Sequence, residues 1–551
     1  MDIDIPPPPR RAFGRAWKDF EPVTEPERKL AEAARLGKIC ELGLAAPQTR
    51  NAANTIRGEF LRFLALGGDA RTPVHEKGVL LRGAVVEGEL DLEGANLPFA
   101  LILFNCNFVA TITLVGAQGR TIALNQSRLN GLNADNLRLD GSLFLSNIIA
   151  TGETRLLGAR IAGNFDCNGA TFDDAGGYAL SCDGAEIGGA VFLSKGFQAT
   201  GETKFVGARI TGDLDCSEAR FDHAHGDALS CSRAEIGGAL YFQDEAIALG
   251  RISFAHAQVG TLADAAEFWP NTSLSLDGFR YHRISATAPL DAKTRIAWLD
   301  KQIPRLLTGQ NFALQPWTHL AKVLREQGHF AEAAEVDIAR EDRLRRAGRI
   351  APLPSPQSWW AYLMTPVNLC AQRDPAFSTG AQAKLLPNLI PWALHWFYGA
   401  FAGYGYKPFR VIAVAFFAWL AFAAFYDYAA SQAVFGPSNA LVFQNKAYEH
   451  CRPGVTQNPV SGKAKIGNWT RCPELPGEYT SFSPLAYSAD LILPVVSLGQ
   501  SNDWAPITSG DAWSLGYVTR LAVWFEELLG WIATLTLAAI ASGLVKRKDG
   551  D

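Results

Sequence analysis

TGETRLLGARIAGNFDCNGATF at residues 151–172 returns as TGETKFVGARITGDLDCSEARF at residues 200–221, and ALSCDGAEIGGAVFL at 179–193 returns as ALSCSRAEIGGALYF at 228–242. The shift is 49 residues in both cases. Each copy holds two smaller units of one ten-residue pattern. GAVVEGELDL starts at Gly83, NCNFVATITL at Asn105, NLRLDGSLFL at Asn136 and GARIAGNFDC at Gly158; GAEIGGAVFL follows at Gly184, GARITGDLDC at Gly207 and RAEIGGALYF at Arg233. Within each unit the second, fourth, eighth and tenth positions are small or apolar and the odd positions mostly polar, which is period two and hence a strand with one buried face. Strands this short cannot bury themselves alone, so neighbouring repeats must stack on them. Unit spacings of 22, 31, 22, 26, 23 and 26 residues fit turns of a parallel β-helix with coils about 4.8 Å apart. Together with weaker coils to Phe279 they predict a rod on the order of 35–40 Å long. Right-handed winding is expected, as for most parallel crossovers.

Positions within the unit carry distinct chemistry. Glycine at the sixth position (Gly88, Gly141, Gly163, Gly189, Gly212, Gly238) suits a tight corner or a small inner column. Cys167 and Cys216 fall at the tenth position on the inward parity, where a free thiol acts as a small hydrophobe; no CxxC or neighbouring histidine supports a metal there, and no metal is expected. The outward ninth position reads Asp91, Thr113, Phe144, Asp166, Phe192, Asp215, Tyr241. Phe144, Asp166, Phe192, Asp215 and Tyr241 are the candidate partner-binding residues. Asp166 and Asp215, about 10 Å apart across two coils, also stand near the upper end of the carboxylate separation of inverting glycosidases, although no further feature designates a catalytic residue. The third position alternates Arg138, Arg160, Glu186, Arg209 and Glu235, a charge ladder.

The remainder divides by composition. Residues 1–22 are a Pro-rich lead without an apolar signal-peptide core. Residues 23–76 form a helical cap: Thr24 caps one helix, and Ile56, Phe60, Phe63 and Leu64 sit at helical spacing in a second. The β-helix occupies 77–285. Residues 286–350 contain a helix and a tetratricopeptide-like hairpin turning at Gly328, read as a terminal cap or adaptor. Residues 351–410 form an interfacial or re-entrant segment; its uncharged 385–406 stretch would alternatively be a third span.

Two charge-free stretches, residues 411–426 and 528–545, approach the length a bilayer core requires. They define transmembrane helices within 411–427 and 520–548. Lys407 and Arg410 precede the first, while Lys546, Arg547 and Lys548 follow the second, so the positive-inside rule puts both termini in the cytoplasm. The intervening 428–519 would then lie outside a bacterial inner membrane, where Cys451 and Cys472 can form a disulfide contributing on the order of 3 kcal/mol. The same segment holds YSADLILPVVSLGQ at residues 487–500, too short to span. Span, dip and span is the layout of a potassium-channel pore unit, but VVSLGQ lacks a TVGYG-like filter. Asp490, Glu526 and Glu527 could line a polar cavity in an oligomer or lie at the outer interface. With a net charge of −4 and a pI near 6.2, no global basic field recruits nucleic acid. The expected partners are the lipid bilayer and a protein partner or a second copy of the chain.

The order IRGEFLRFL, GVLLRGAVVEGELDLEGA, LAKVLREQGHFAEA, GYGYKPFR, YSADLILPVVSLGQ and LLGWIATLTLAAIASGLVKR resembles a bacterial group of membrane-associated proteins. The repeats are also similar to pentapeptide-repeat proteins, with a trace of that signature at Ala95, Asn96 and Leu97. The resemblance implies a membrane-associated oxidoreductase. The residues themselves show no GxGxxG turn in a βαβ unit, no CxxCH and no redox CxxC, so no cofactor is expected from them. Three functions stay open: a membrane-tethered scaffold or sensor presenting a cytoplasmic β-helix face, an oligomeric channel-like pore, and the implied oxidoreductase.

Overall fold

The computed structural model describes residues 16–270, 272–350, 382–454, 456–457, 465–473, 475, 479–508 and 513–542. Most of the Pro-rich lead, residues 351–381 and the basic Lys546, Arg547 and Lys548 lie outside the described residues. The chain divides into two compact units, Met1–Arg349 and Ile350–Asp551.

The first unit is a parallel β-solenoid of about nine turns. One turn runs through the strands Arg138–Leu139, Leu143–Phe144, Ile149–Ala150 and Thr154–Arg155, and the next begins at Arg160–Ile161. Each turn therefore offers four short strands, each adding one inward and one outward side chain to columns that run along the solenoid. One inward column passes in unbroken register from Val79 through Leu143 and Phe165 to Ile284. All of its members are buried. Cys106, Cys167, Cys182, Cys216 and Cys231 are free and fully buried. Burial pushes the Cys106 and Cys231 thiols up to about 12, leaving them as inert filling.

The ten-residue unit is half a turn, and the seven units do not share one register. Val85 and Leu90 of the first unit, and Asn107 and Ile112 of the second, pair within one sheet. From Arg138 onward the units lie in the other sheet. The 31-residue spacing is thus one and a half turns. Asp91 and Thr113 accordingly stack on each other and continue into Asn133 and Arg155, away from the Phe144 column. The two 26-residue spacings, from Gly158 and from Gly207, have a separate cause. The strands Thr171–Ser181 and Arg220–Ser230 each bulge, between Asp173 and Tyr178 and between Asp222 and Asp227, which absorbs the extra residues.

Five of the sixth-position glycines form a corner at which successive backbones touch. Gly163, Gly189, Gly212 and Gly238 each donate their amide to the carbonyl of the glycine one turn back, at 2.8–3.0 Å. A Cβ on Gly212 would lie 2.8 Å from the Gly189 carbonyl oxygen, so no larger residue fits the corner.

Both ends are closed by helices. At the N-terminal end Thr24 caps α1 (Glu25–Leu36) by accepting the Glu27 amide. α2 (Gly58–Ala65) packs Phe60 and Phe63 against Phe20. Ile56 is not in that helix. It lies in the strand Thr55–Arg57, paired with Val86, because the first turn of the solenoid claims its backbone. At the other end come α3 (Ala292–Leu299), α4 (Gln315–Glu326) and α5 (Phe330–Arg346), with Gly328 at φ 88° between the last two. The final strand, Arg280–Ile284, would leave an open edge. Side chains from α4 and the residue after it fill that edge. Gln315 bonds the Gly278 amide and Phe279 carbonyl, His319 accepts the Tyr281 amide at 2.9 Å, and Gln327 bonds both backbone groups of Ile284.

The second unit contains α6 (Gln382–Ala402), α7 (Pro408–Ser431), α8 (Pro484–Ile492) and α9 (Leu515–Ala541). α7 and α9 are long and apolar enough to cross a membrane, and only 17% of each apolar window is buried. A 3-10 turn at Gly403–Gly405 joins α6 to α7, and Tyr404 folds back so closely that a Cβ on Gly399 would meet its ring at 2.4 Å.

Candidate interaction surface and membrane core

The solenoid brings all five candidate partner-binding residues together. Phe144, Asp166, Phe192, Asp215 and Tyr241 occupy direct register on five successive turns, and each is half-buried. The column is bounded by Ala123 on one side and Ala263 on the other, both buried. The aromatic side chains of the column therefore fall within a patch on the order of 20 Å long, at about 4.8 Å per turn, and beyond Ala123 the column resumes with the aliphatic Ile102 and Leu80. The acids within it are committed to turn formation. Asp166 accepts the Asn168 amide at 2.9 Å and Asp215 the Ser217 amide at 3.0 Å. This Asx geometry explains why aspartate suits the ninth position. Burial, then the carboxylates of Asp213 and Asp215, push the Tyr241 hydroxyl above its ordinary pKa.

The charge ladder forms the neighbouring column of the same sheet. Arg138, Arg160, Glu186, Arg209 and Glu235 are in register. Glu186 lies 3.2 Å from Arg160 and 3.8 Å from Arg209, and Arg209 lies 3.4 Å from Glu235. A shallow groove of about 540 Å³ runs along Arg138, Arg160, Glu186 and Arg209. On the other sheet a groove of about 650 Å³ opens beside the second bulge, lined by His225, Gly250, Arg251 and Thr272 among others. The sequence reading missed these bulges, although the alternation of 22–23 with 26 residues was their signature.

In the second unit the three candidate acids take different positions. Glu526 is fully buried, and its carboxyl oxygens meet the Tyr426 hydroxyl at 2.8 Å and Ser488 Oγ at 2.5 Å. Asp490 is buried and closes the return loop after α8, accepting the Leu498 amide at 2.6 Å and the Ser501 amide at 2.8 Å. Burial alone would raise its pKa, but the amides of Ser501 and Leu498 outweigh that and hold it below the usual carboxylate range. Glu527, the next residue on α9, is exposed. Tyr426 and Ser488 were not singled out by sequence, since a hydroxyl in an apolar stretch carries no periodic signal.

Cys451 and Cys472 are joined in a disulfide. His450 lies beside them, and among the described residues this is the one group whose spacing suits a metal ion. With both sulfurs in the disulfide, only the imidazole is left as a donor there.

No protein-family model, curated protein or solved structure matches this chain. The functional reading therefore rests on the geometry of these two regions.

Proposed function

We propose that the chain is a membrane-tethered scaffold in which the solenoid presents the Phe144–Tyr241 column to a protein partner. The observation that carries this reading is a row of three half-buried aromatics in one register column. Phe144, Phe192 and Tyr241 stand on every second turn, about 10 Å apart, with acids between them and the arginine–glutamate ladder alongside. A rigid row of aromatic anchors with a charged rim is what a protein-docking surface needs. α7 and α9 supply the tether. Their even number keeps the solenoid and the C-terminal residues on one side, and the flanking Lys407, Arg410, Lys546, Arg547 and Lys548 favour the cytoplasmic side of a bacterial inner membrane. The disulfide then belongs to the oxidising side.

Crosslinking and pull-down from membranes test the reading. Replacing Phe144, Phe192 and Tyr241 together with serine should cut partner affinity by at least 30-fold, as for the loss of one hot-spot contact of about 2 kcal/mol. Circular dichroism should remain unchanged. Undiminished recovery of the same partner would remove this face from consideration.

A second reading, an oligomeric pore, is favoured by the α7–α8–α9 order, with a short helix and an Asp490-capped return loop between two candidate spans. Conductance of the purified protein in planar bilayers separates the two. The oxidoreductase reading stands on the resemblance alone, and visible absorption by the purified protein would support it.

A further inference from the structure

Glu526 lies in the middle of α9, and among the described residues no lysine, arginine or histidine pairs with it. The groups that face it come from three helices. α7 contributes the Tyr426 hydroxyl and the Trp419 carbonyl, and α8 contributes Tyr487, Ser488 and, further along, Asp490. Its own helix adds Glu527; Arg520, nearer the N-terminus, acts on Tyr487 and donates its guanidinium to the Pro506 carbonyl. Asp490 is already engaged by two backbone amides.

Three hydrogen bonds link the cluster. They join Tyr426 to Glu526 Oε2 at 2.8 Å, Ser488 Oγ to Glu526 Oε1 at 2.5 Å, and Ser488 Oγ to the Trp419 carbonyl oxygen at 3.0 Å. The two hydroxyls own one proton each. A carboxylate would leave Ser488 with one proton for two acceptors, to be shared between them or withheld from one. A neutral acid completes the chain: Tyr426 O–H donates to Oε2, Oε1–H donates to Ser488 Oγ, and Ser488 O–H donates to the Trp419 carbonyl. α9 and α8 are closely packed nearby: a Cβ on Gly530 would lie 2.5 Å from the Ile492 carbonyl oxygen.

We propose that Glu526 is a proton-binding site, carried as the neutral acid, whose proton ties α8 to both long apolar helices. Loss of that proton breaks one of the three bonds and loosens α8 with its return loop. This stands apart from the docking face and does not depend on it. An uncharged pair of hydrogen-bonded groups is also the form that low-dielectric surroundings favour over an unpaired carboxylate.

Infrared spectroscopy of the full chain in lipid nanodiscs tests the assignment. At neutral pH the wild type should show the carbonyl stretch of a protonated carboxylic acid, downshifted in D2O, fading as pH is raised and missing from Glu526→Gln. Absence of the band in the wild type, or its persistence in folded Glu526→Gln, overturns the proposal. Should Glu526→Gln fail to fold, Ser488→Ala decides. Removal of the acid's acceptor should shift the band to higher frequency, and an unmoved band rejects Glu526 as its source.

Discussion

The solenoid and the second unit both bury charged side chains, but they do so in different places and by different means. Inside the solenoid each turn repeats the last, and backbone ladders satisfy the polar groups, so the core columns need no charge. Buried charge gathers at the ends, where repetition stops. Glu27, fully buried, binds the Arg57 guanidinium through both carboxylate oxygens at 2.7 and 2.8 Å. At the other end Arg295 and Asp264, each about 1% exposed, form two bonds of 2.8 Å, and Trp269 adds a third to Asp264 at 2.6 Å. These pairs fix helices that have no repeat to set their register. In the second unit Glu526 lies within the helical cluster and is held by hydroxyls, Asp490 is held by backbone amides, and large apolar side chains such as Phe417 and Phe525 are turned outward. One unit hides its apolar residues and pins its ends with charge; the other displays apolar residues and buries Glu526 and Asp490 without a cationic partner among the described residues.

Three substitutions probe that contrast in order of expected effect. Asp264→Ala leaves Arg295 buried without its partner and should lower the stability of the solenoid by about 3–5 kcal/mol, read from urea unfolding of the full chain. Conversion of both residues to apolar ones of similar size should recover most of that loss. A double variant as unstable as the single one would mean that the pair does not set the cap.

The N-terminal cap should respond to acid. Burial pushes the Glu27 carboxyl up, but its bonds to Arg57 and to the Thr24 and Arg57 amides outweigh that and leave it below its ordinary pKa. A depressed carboxylate stabilises the folded state above the unfolded value of about 4.3 and loses that contribution as pH falls through the lower folded value. About 2 kcal/mol of protection in α1 should disappear over this range, as seen by amide hydrogen exchange. Glu27→Gln should abolish the pH step. A wild-type cap equally protected on both sides of it would show that Arg57 is not what holds α1.

The smallest change belongs to the ladder. Arg209→Ala removes contacts to Glu186 and Glu235, but its side chain is 67% exposed, so the cost should be at most about 1 kcal/mol and should shrink in salt. A loss as large as that of Asp264→Ala would erase the distinction between ends and middle.

How much of this was legible in sequence follows from the range of each interaction. Period-two alternation and the 49-residue return sufficed for stacked parallel strands, because each turn contacts only the next and the pattern is local. The apolar runs at 411–426 and 528–545 likewise announced α7 and α9, since length and absence of charge are properties of the chain itself. The Phe144 column was readable for the same reason. Tertiary structure decided what repetition leaves ambiguous. A ten-residue half-turn fits either sheet equally well, so only the pairing could assign Asp91 and Thr113 to the opposite flank. It also decided what lies far apart in the chain. Tyr426 and Glu526 are 100 residues apart, and Asp264 and Arg295 are 31 apart. Neither partner carries a local mark of the other, because a buried polar bond is specified by packing in three dimensions.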